Sequence, residues 1–179
     1  MKQVLLVGLG SEIGATLLSL NNPEDTGIEI TVAVTHKIPV DEKNPHLDPL
    51  DSILARVVLA DPTMLDQVQV DTQDNSITVC GRKTRIVWGD AREIDPASIG
   101  QKFHTCIVAT SKNHIGDPEF MNRWRSVAEW VVGVAEAPTL PAIYAHLVDA
   151  PTQWLPNKPR RIGSDRVFSL GSCQSNGWH

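Results

Sequence analysis

The sequence predicts an α/β chain: a doubly wound, mostly parallel sheet carrying a small antiparallel insert. Three observations predict it. Residues 3–7, 28–34 and 106–110 are nearly continuous apolar runs bounded by turn residues, the pattern of parallel strands buried on both faces. The first run leads at once into a glycine loop, Gly8-Leu9-Gly10-Ser11-Glu12-Ile13-Gly14, and then into apolar residues at helical spacing. A stretch after residue 67 instead alternates apolar with polar residues, as half-buried antiparallel strands do.

In chain order, Gln3 to Val7 is the first strand, and Ile13, Leu17, Leu18 and Leu20 line one face of the helix that follows the glycines. Ile28 to Val34, rich in branched residues, is the second strand and closes a strand-helix-strand unit of about 32 residues. Residues 38–45, with Pro39, Asp41 and Pro45, read as loop. Leu50, Ile53, Leu54 and Val57 then predict a helix of about three turns over 47–59. Val68 to Asp71 and Ser76 to Cys80 form a predicted hairpin, with Thr84 to Val87 as a third short strand. Pro96 to Ile99 is a short helix, Cys106 to Thr110 a buried strand, Pro118 to Ala128 a helix, Glu129 to Val134 a strand, and Arg166 to Leu170 the last strand. The expected division is 1–170 as one nucleotide-binding type of domain and 171–179 as the start of a second.

Composition narrows the classes of function. Forty-one per cent apolar and 21 per cent charged residues suit a globular protein, and no apolar run approaches the roughly 18 residues of a spanning helix. A membrane partner is therefore not expected, and the expected compartment is cytoplasmic. The net charge of −5 argues against a nucleic-acid partner, and Lys158-Pro159-Arg160-Arg161 reads as a solvated turn. Cys80, Cys106 and Cys173 are odd in number and lack a Cys-x-x-Cys spacing, which favours thiols over a disulfide frame or a metal site. Cys80 and Cys106, inside apolar stretches, are expected to be buried. The five tryptophans have no regular spacing and are expected to pack rather than to cage a ligand.

Two constellations carry chemistry. The glycine loop lies between a strand and a helix, where orphan N–H groups and the helix dipole hold a pyrophosphate, as in a Rossmann-like fold. Gly8, Gly10, Ile13 and Gly14 are the candidate residues; the other reading is that the glycines only let helix and strand pack closely. At the end of the second strand the residues are Thr35, His36 and Lys37, with no carboxylate to accept ribose hydroxyls. The charge there favours a 2′-phosphate, hence NADP over NAD, unless the loop is merely solvated. The second constellation is Gly171-Ser172-Cys173-Gln174-Ser175-Asn176, in which Cys173 follows a strand and would start a helix, a position that favours thiolate.

These residues resemble the N-terminal, cofactor-binding half of the phosphorylating glyceraldehyde-3-phosphate dehydrogenases. Val4 to Gly14 is similar to that family's opening strand and glycine loop. Ile77 to Val87 with Asp95-Pro96-Ala97-Ser98-Ile99 is similar to its β-rich insert and Asp-Pro turn, and Val108-Ala109-Thr110-Ser111 to the strand end beside the cofactor. Gly171 to Asn176 resembles its Ala-Ser-Cys-Thr-Thr-Asn motif. The resemblance implies an oxidoreductase using NADP or NAD, in which Cys173 attacks an aldehyde, Asn176 neighbours the nicotinamide, and Gly8, Gly10, Ile13 and Thr110 line the cofactor. Glu12 stands about where that family has Arg, and His36 where it has the ribose-binding Asp. The base histidine and phosphate-binding groups of the family belong to a half that would follow residue 179. The chain alone is therefore expected not to turn over a small aldehyde, and to assemble as a homo-oligomer or with a partner chain. A non-catalytic diverged module that binds a nucleotide or a protein partner is the alternative function.

Overall fold

A computed structural model describes residues 1–9, 14, 16–18, 21–34, 62–71, 73–135, 137, 139–140, 142–143 and 166–170. The predicted loop at 38–45 and helix at 47–59 lie outside these residues.

The described strands are β1 (Lys2–Val7), β2 (Ile28–Val34), β3 (Val68–Asp71), β4 (Ser76–Val79), β5 (Arg82–Trp88), β6 (Phe103–Val108), β7 (Ala128–Gly133), β8 (Ala142–Ile143) and β9 (Val167–Leu170). They form one sheet in the order β3-β4-β5-β2-β1-β6-β7-β9-β8. From β5 to β9 every neighbouring pair is parallel. Ranked among themselves by chain order, those six strands stand third, second, first, fourth, fifth, sixth, and β8 adds a seventh parallel strand at the edge beside β9. That is the doubly wound arrangement of a Rossmann-like α/β fold, with its switch point between β1 and β6. β3 and β4 extend the β5 side as an antiparallel meander, the predicted insert.

Side-chain alternation along the strands builds a core on each face. Leu5, Val7, Ala33, Cys106, Val108 and Val131 face one side, beneath Phe120, Met121 and Trp124. Leu6, Val32, Ile86 and Ala109 face the other, beneath Leu9 and Leu18. The first cover comes from α2 (Lys112–Ile115), α3 (Pro118–Arg123) and a 3-10 turn at Trp124–Ser126; a one-turn helix, α1 (Pro23–Thr26), lies between β1 and β2. The second cover includes the helical residues Gly14 and 16–18, as the glycine-loop pattern predicts.

Several expectations shift by local chemistry. The helix predicted over 118–128 ends as α3 at Arg123, because Trp124 drops fully into the core in a 3-10 turn and Val127 leaves helical geometry, with φ of −122° and ψ of −15°, before β7. The hairpin strand predicted to reach Cys80 stops at Val79: Cys80 and Gly81 have φ of 50° and 74°, and Val79 pairs with Arg82. They are the two left-handed residues of a tight hairpin turn whose twist matches the strands. That turn leaves Cys80 half-buried rather than buried, whereas Cys106 is fully buried. β6 begins at Phe103, opposite Ala128, and ends at Val108, so Ala109 and Thr110 lie beyond the strand. Helices at Pro23–Thr26 and Lys112–Ile115, and a 3-10 turn at Pro62–Gln67, were not predicted; each is too short to show a period.

Candidate functional site

The central strands end level with one another. Val7 stands opposite Val108 on one side and Ala33 on the other, and Val34 stands opposite Trp88. The chain thus leaves the sheet together at Ala109, Gly8, Val34 and Trp88, and the crevice of the switch point opens above β1 and β6. Hydrogen bonds fix this rim: the Gly8 N–H donates to the Ala33 carbonyl at 2.7 Å and the Ala109 N–H to the Val7 carbonyl at 2.8 Å.

Gly8 turns out of β1 with φ of 93°. A Cβ there would stand 2.8 Å from the Ala109 carbonyl oxygen and 2.9 Å from Thr110 Cγ2. At Gly14, a Cβ would stand 2.7 Å from the Gly8 carbonyl oxygen. The start of the helix therefore rests directly on the turn, and the turn rests on the end of β6. Of the two readings of the glycines, close packing is seen directly. Gly8 and Gly14 are themselves buried, and Leu9 beside Gly8 is buried in the core. Thr110 completes the rim. It is half-buried, and its Oγ1 is buried without a hydrogen-bond partner among the described residues.

The predicted site residues Gly8, Gly14 and Thr110 are thus brought together. Gly10, Ile13, His36, Lys37, Cys173 and Asn176 lie outside the described residues. Among the described residues, no group of three or more His, Cys, Asp and Glu side chains is placed to hold a metal ion. No helix among them is long and apolar enough to cross a membrane.

Sequence reasoning missed the second layer of the rim. Ser111 is the N-cap residue of α2, which carries His114, and Ile115 wedges against Gly133 of β7 so tightly that a Cβ there would stand 2.3 Å from it. The ring of His114 packs against Phe120 at 5.0 Å, and its Nδ1 is buried without a partner among the described residues. Burial, and then the charge of Arg92, hold its pKa below the ordinary 6.5, against the opposite pull of Asp90 and Asp117. Asp90 and Arg92 belong to the turn after β5. That turn is closed by Glu93 and Ile94 N–H groups donating to the Asp90 carbonyl at 2.8 Å and by the Arg92 N–H donating to Asp90 Oδ1 at 2.8 Å. Arg123 of α3 clamps it, donating at 2.6 Å to the carbonyls of both Arg92 and Ile94. Asp117 caps α3 by accepting from the Glu119 and Phe120 N–H groups. An Asp-Pro pair ahead of an apolar run was the signal for that cap, but nothing in the spacing marks His114 or Arg123.

Cys106, opposite Leu5 in the centre of the sheet, is enclosed by apolar groups, and burial pushes its thiol well above the ordinary value. It is an inert core residue, not a nucleophile.

The strand order and the level strand ends define the class: a Rossmann-like α/β fold with its crevice built on a glycine turn. No protein-family model matches the chain, and no curated protein matches it. Among solved structures, it is similar to a protein of Bacteroides thetaiotaomicron provisionally named an epimerase, at 14% identity and a TM-score of 0.39 over 79% of this chain. The chain spans 50% of the length of that structure.

Proposed function

We propose that this chain is the nucleotide-binding half of an oxidoreductase similar to the glyceraldehyde-3-phosphate dehydrogenases, and that NADP or NAD lies across the ends of β1 and β6. The observation that carries the reading is the switch-point crevice. There Gly8 and Gly14 bring the glycine turn, the following helix and the end of β6 together with no room for a side chain at either, and the buried Thr110 hydroxyl lacks a partner among the described residues. The physics of the fold supports it: a helix start over a glycine turn offers N–H groups and a partial positive charge to a pyrophosphate.

In this reading Gly8, Gly10, Ile13 and Gly14 hold the pyrophosphate, and Thr110 hydrogen-bonds the nicotinamide half. His36 and Lys37 meet the ribose of the adenosine half, where their charge favours a 2′-phosphate. Cys173 is the nucleophile toward an aldehyde, with Asn176 beside the nicotinamide; the bound cofactor supplies the hydride acceptor.

Parallel titrations with NADP and NAD, followed by tryptophan emission and checked by calorimetry, test this. Saturable binding with NADP preferred supports both the crevice and the His36/Lys37 argument. Absence of binding by either at millimolar concentration overturns it and assigns the chain to the alternative, a non-catalytic module.

A further inference from the structure

We propose that His114 is an acid-released latch on the corner of chain that carries Thr110: taking up a proton drives its ring out of its seat against Phe120 and loosens residues 111–117. The corner is small and hinges on few bonds. Ser111 accepts the N–H groups of His114 and Ile115 at 3.0 and 3.2 Å, Lys112 accepts that of Gly116 at 2.7 Å, and the His114 carbonyl accepts that of Asp117 at 3.1 Å. One helical turn of this kind is not stable alone, so side-chain packing holds it in place. Besides the Thr139 hydroxyl, which donates to the Gly116 carbonyl at 2.7 Å, two side chains pack it down: Ile115, fully buried against Gly133, and His114, lying on Phe120.

Only one of these two can change its charge. A protonated imidazole carries an N–H on both nitrogens, and Nδ1 of His114 is buried with no acceptor among the described residues. The charged ring therefore holds a positive charge together with an Nδ1 donor that has no acceptor among the described residues, and both are relieved when the ring swings to water. The charged groups that face the ring come from two packed elements. Arg92, on the turn after β5, opposes a second positive charge, while Asp90 on the same turn and Asp117 at the start of α3 favour it. Burial together with Arg92 outweighs the two carboxylates, so the closed corner disfavours the charged ring relative to one in water. Thr110 directly precedes Ser111, so opening the corner frees the rim residue whose methyl faces Gly8. The consequence for cofactor binding rests on the function proposed above; the opening itself does not.

Amide hydrogen exchange on the full chain, at pH 5 and pH 7.5 with the intrinsic rates corrected, reads the latch directly. In the native protein, protection of residues 111–117 falls at least about tenfold more on acidification than in His114→Phe, whose ring keeps the contact with Phe120 and cannot charge. The His114 ring resonance, followed by NMR in the native protein alone, titrates below 6.5. Equal loss of protection in both proteins, or a ring that titrates at or above 6.5, overturns the latch. NADP affinity measured at both pH values gives the second arm: it weakens in acid in the native protein and not in the variant. Absence of NADP binding at either pH sinks the cofactor reading while the exchange result still decides the latch.

Discussion

Gly8 and Thr110 separate what the fold requires from what a ligand requires. Gly8 cannot carry a side chain: its φ of 93° disfavours one, and a Cβ would press on the Ala109 carbonyl and Thr110 Cγ2. Gly8→Ala is expected to cost about 2 to 4 kcal/mol from backbone strain and overpacking together, read as a lower denaturant midpoint at unchanged m-value. Thr110→Val behaves in the opposite sense. It removes a hydroxyl with no partner among the described residues, so the free protein is expected to be as stable or about 1 kcal/mol more stable. In the function proposed above, the same variant is expected to lose about tenfold in NADP affinity, one hydrogen bond of about 1.4 kcal/mol. A destabilised Thr110→Val protein would mean that the hydroxyl is satisfied within the chain. The glycines were legible because a turn between strand and helix demands them. The orphan hydroxyl was not legible, since one-dimensional spacing does not say which threonine lies at a strand end and is also buried.

At the scale of elements, most strands with a strong pattern were readable to within two residues, although β6 begins at Phe103, three residues before the predicted Cys106. β2 runs over Ile28–Val34, as its branched residues predict, and β3 and β4 pair as the alternation requires. What periodicity cannot carry are elements shorter than a period and turns set by backbone handedness. The Cys80–Gly81 turn is an example: Gly announces it, but Cys at a φ of 50° does not. The first position of such a turn favours Asn, so Cys80→Asn is expected to stabilise the hairpin by about 0.5 to 1 kcal/mol, checked by thermal unfolding. The α3 element has its own test. Arg123 holds two backbone carbonyls of the turn after β5, each at 2.6 Å. Replacing it by Ala leaves both without their charged donor and is expected to cost about 1.5 to 3 kcal/mol, with raised amide exchange confined to residues 89–94 as the distinguishing sign.

The described residues form one sheet with a core on each face, so its central strands are expected to unfold together, and a buried ionisable group at its centre reports on that unit. Cys106 is that group. It is fully buried, and its thiol is held well above the ordinary value of 9.0 by loss of solvation alone. In the unfolded chain the thiol gives up its proton as pH rises through about 9, while the folded chain still holds it. The unfolded state then binds fewer protons, so stability falls as pH rises above that point, and the contribution is fully present below it. Denaturant unfolding of the native protein at pH 8 and pH 10, set beside Cys106→Ala, isolates the effect. The alanine variant is less stable at pH 8 through lost packing, by about 1 to 2 kcal/mol. Its decline between the two pH values is shallower, because the group that the unfolded chain ionises is gone. Parallel declines in the two proteins would show that the centre of the sheet opens to solvent before the rest of the molecule unfolds, against a single cooperative unit built across both faces.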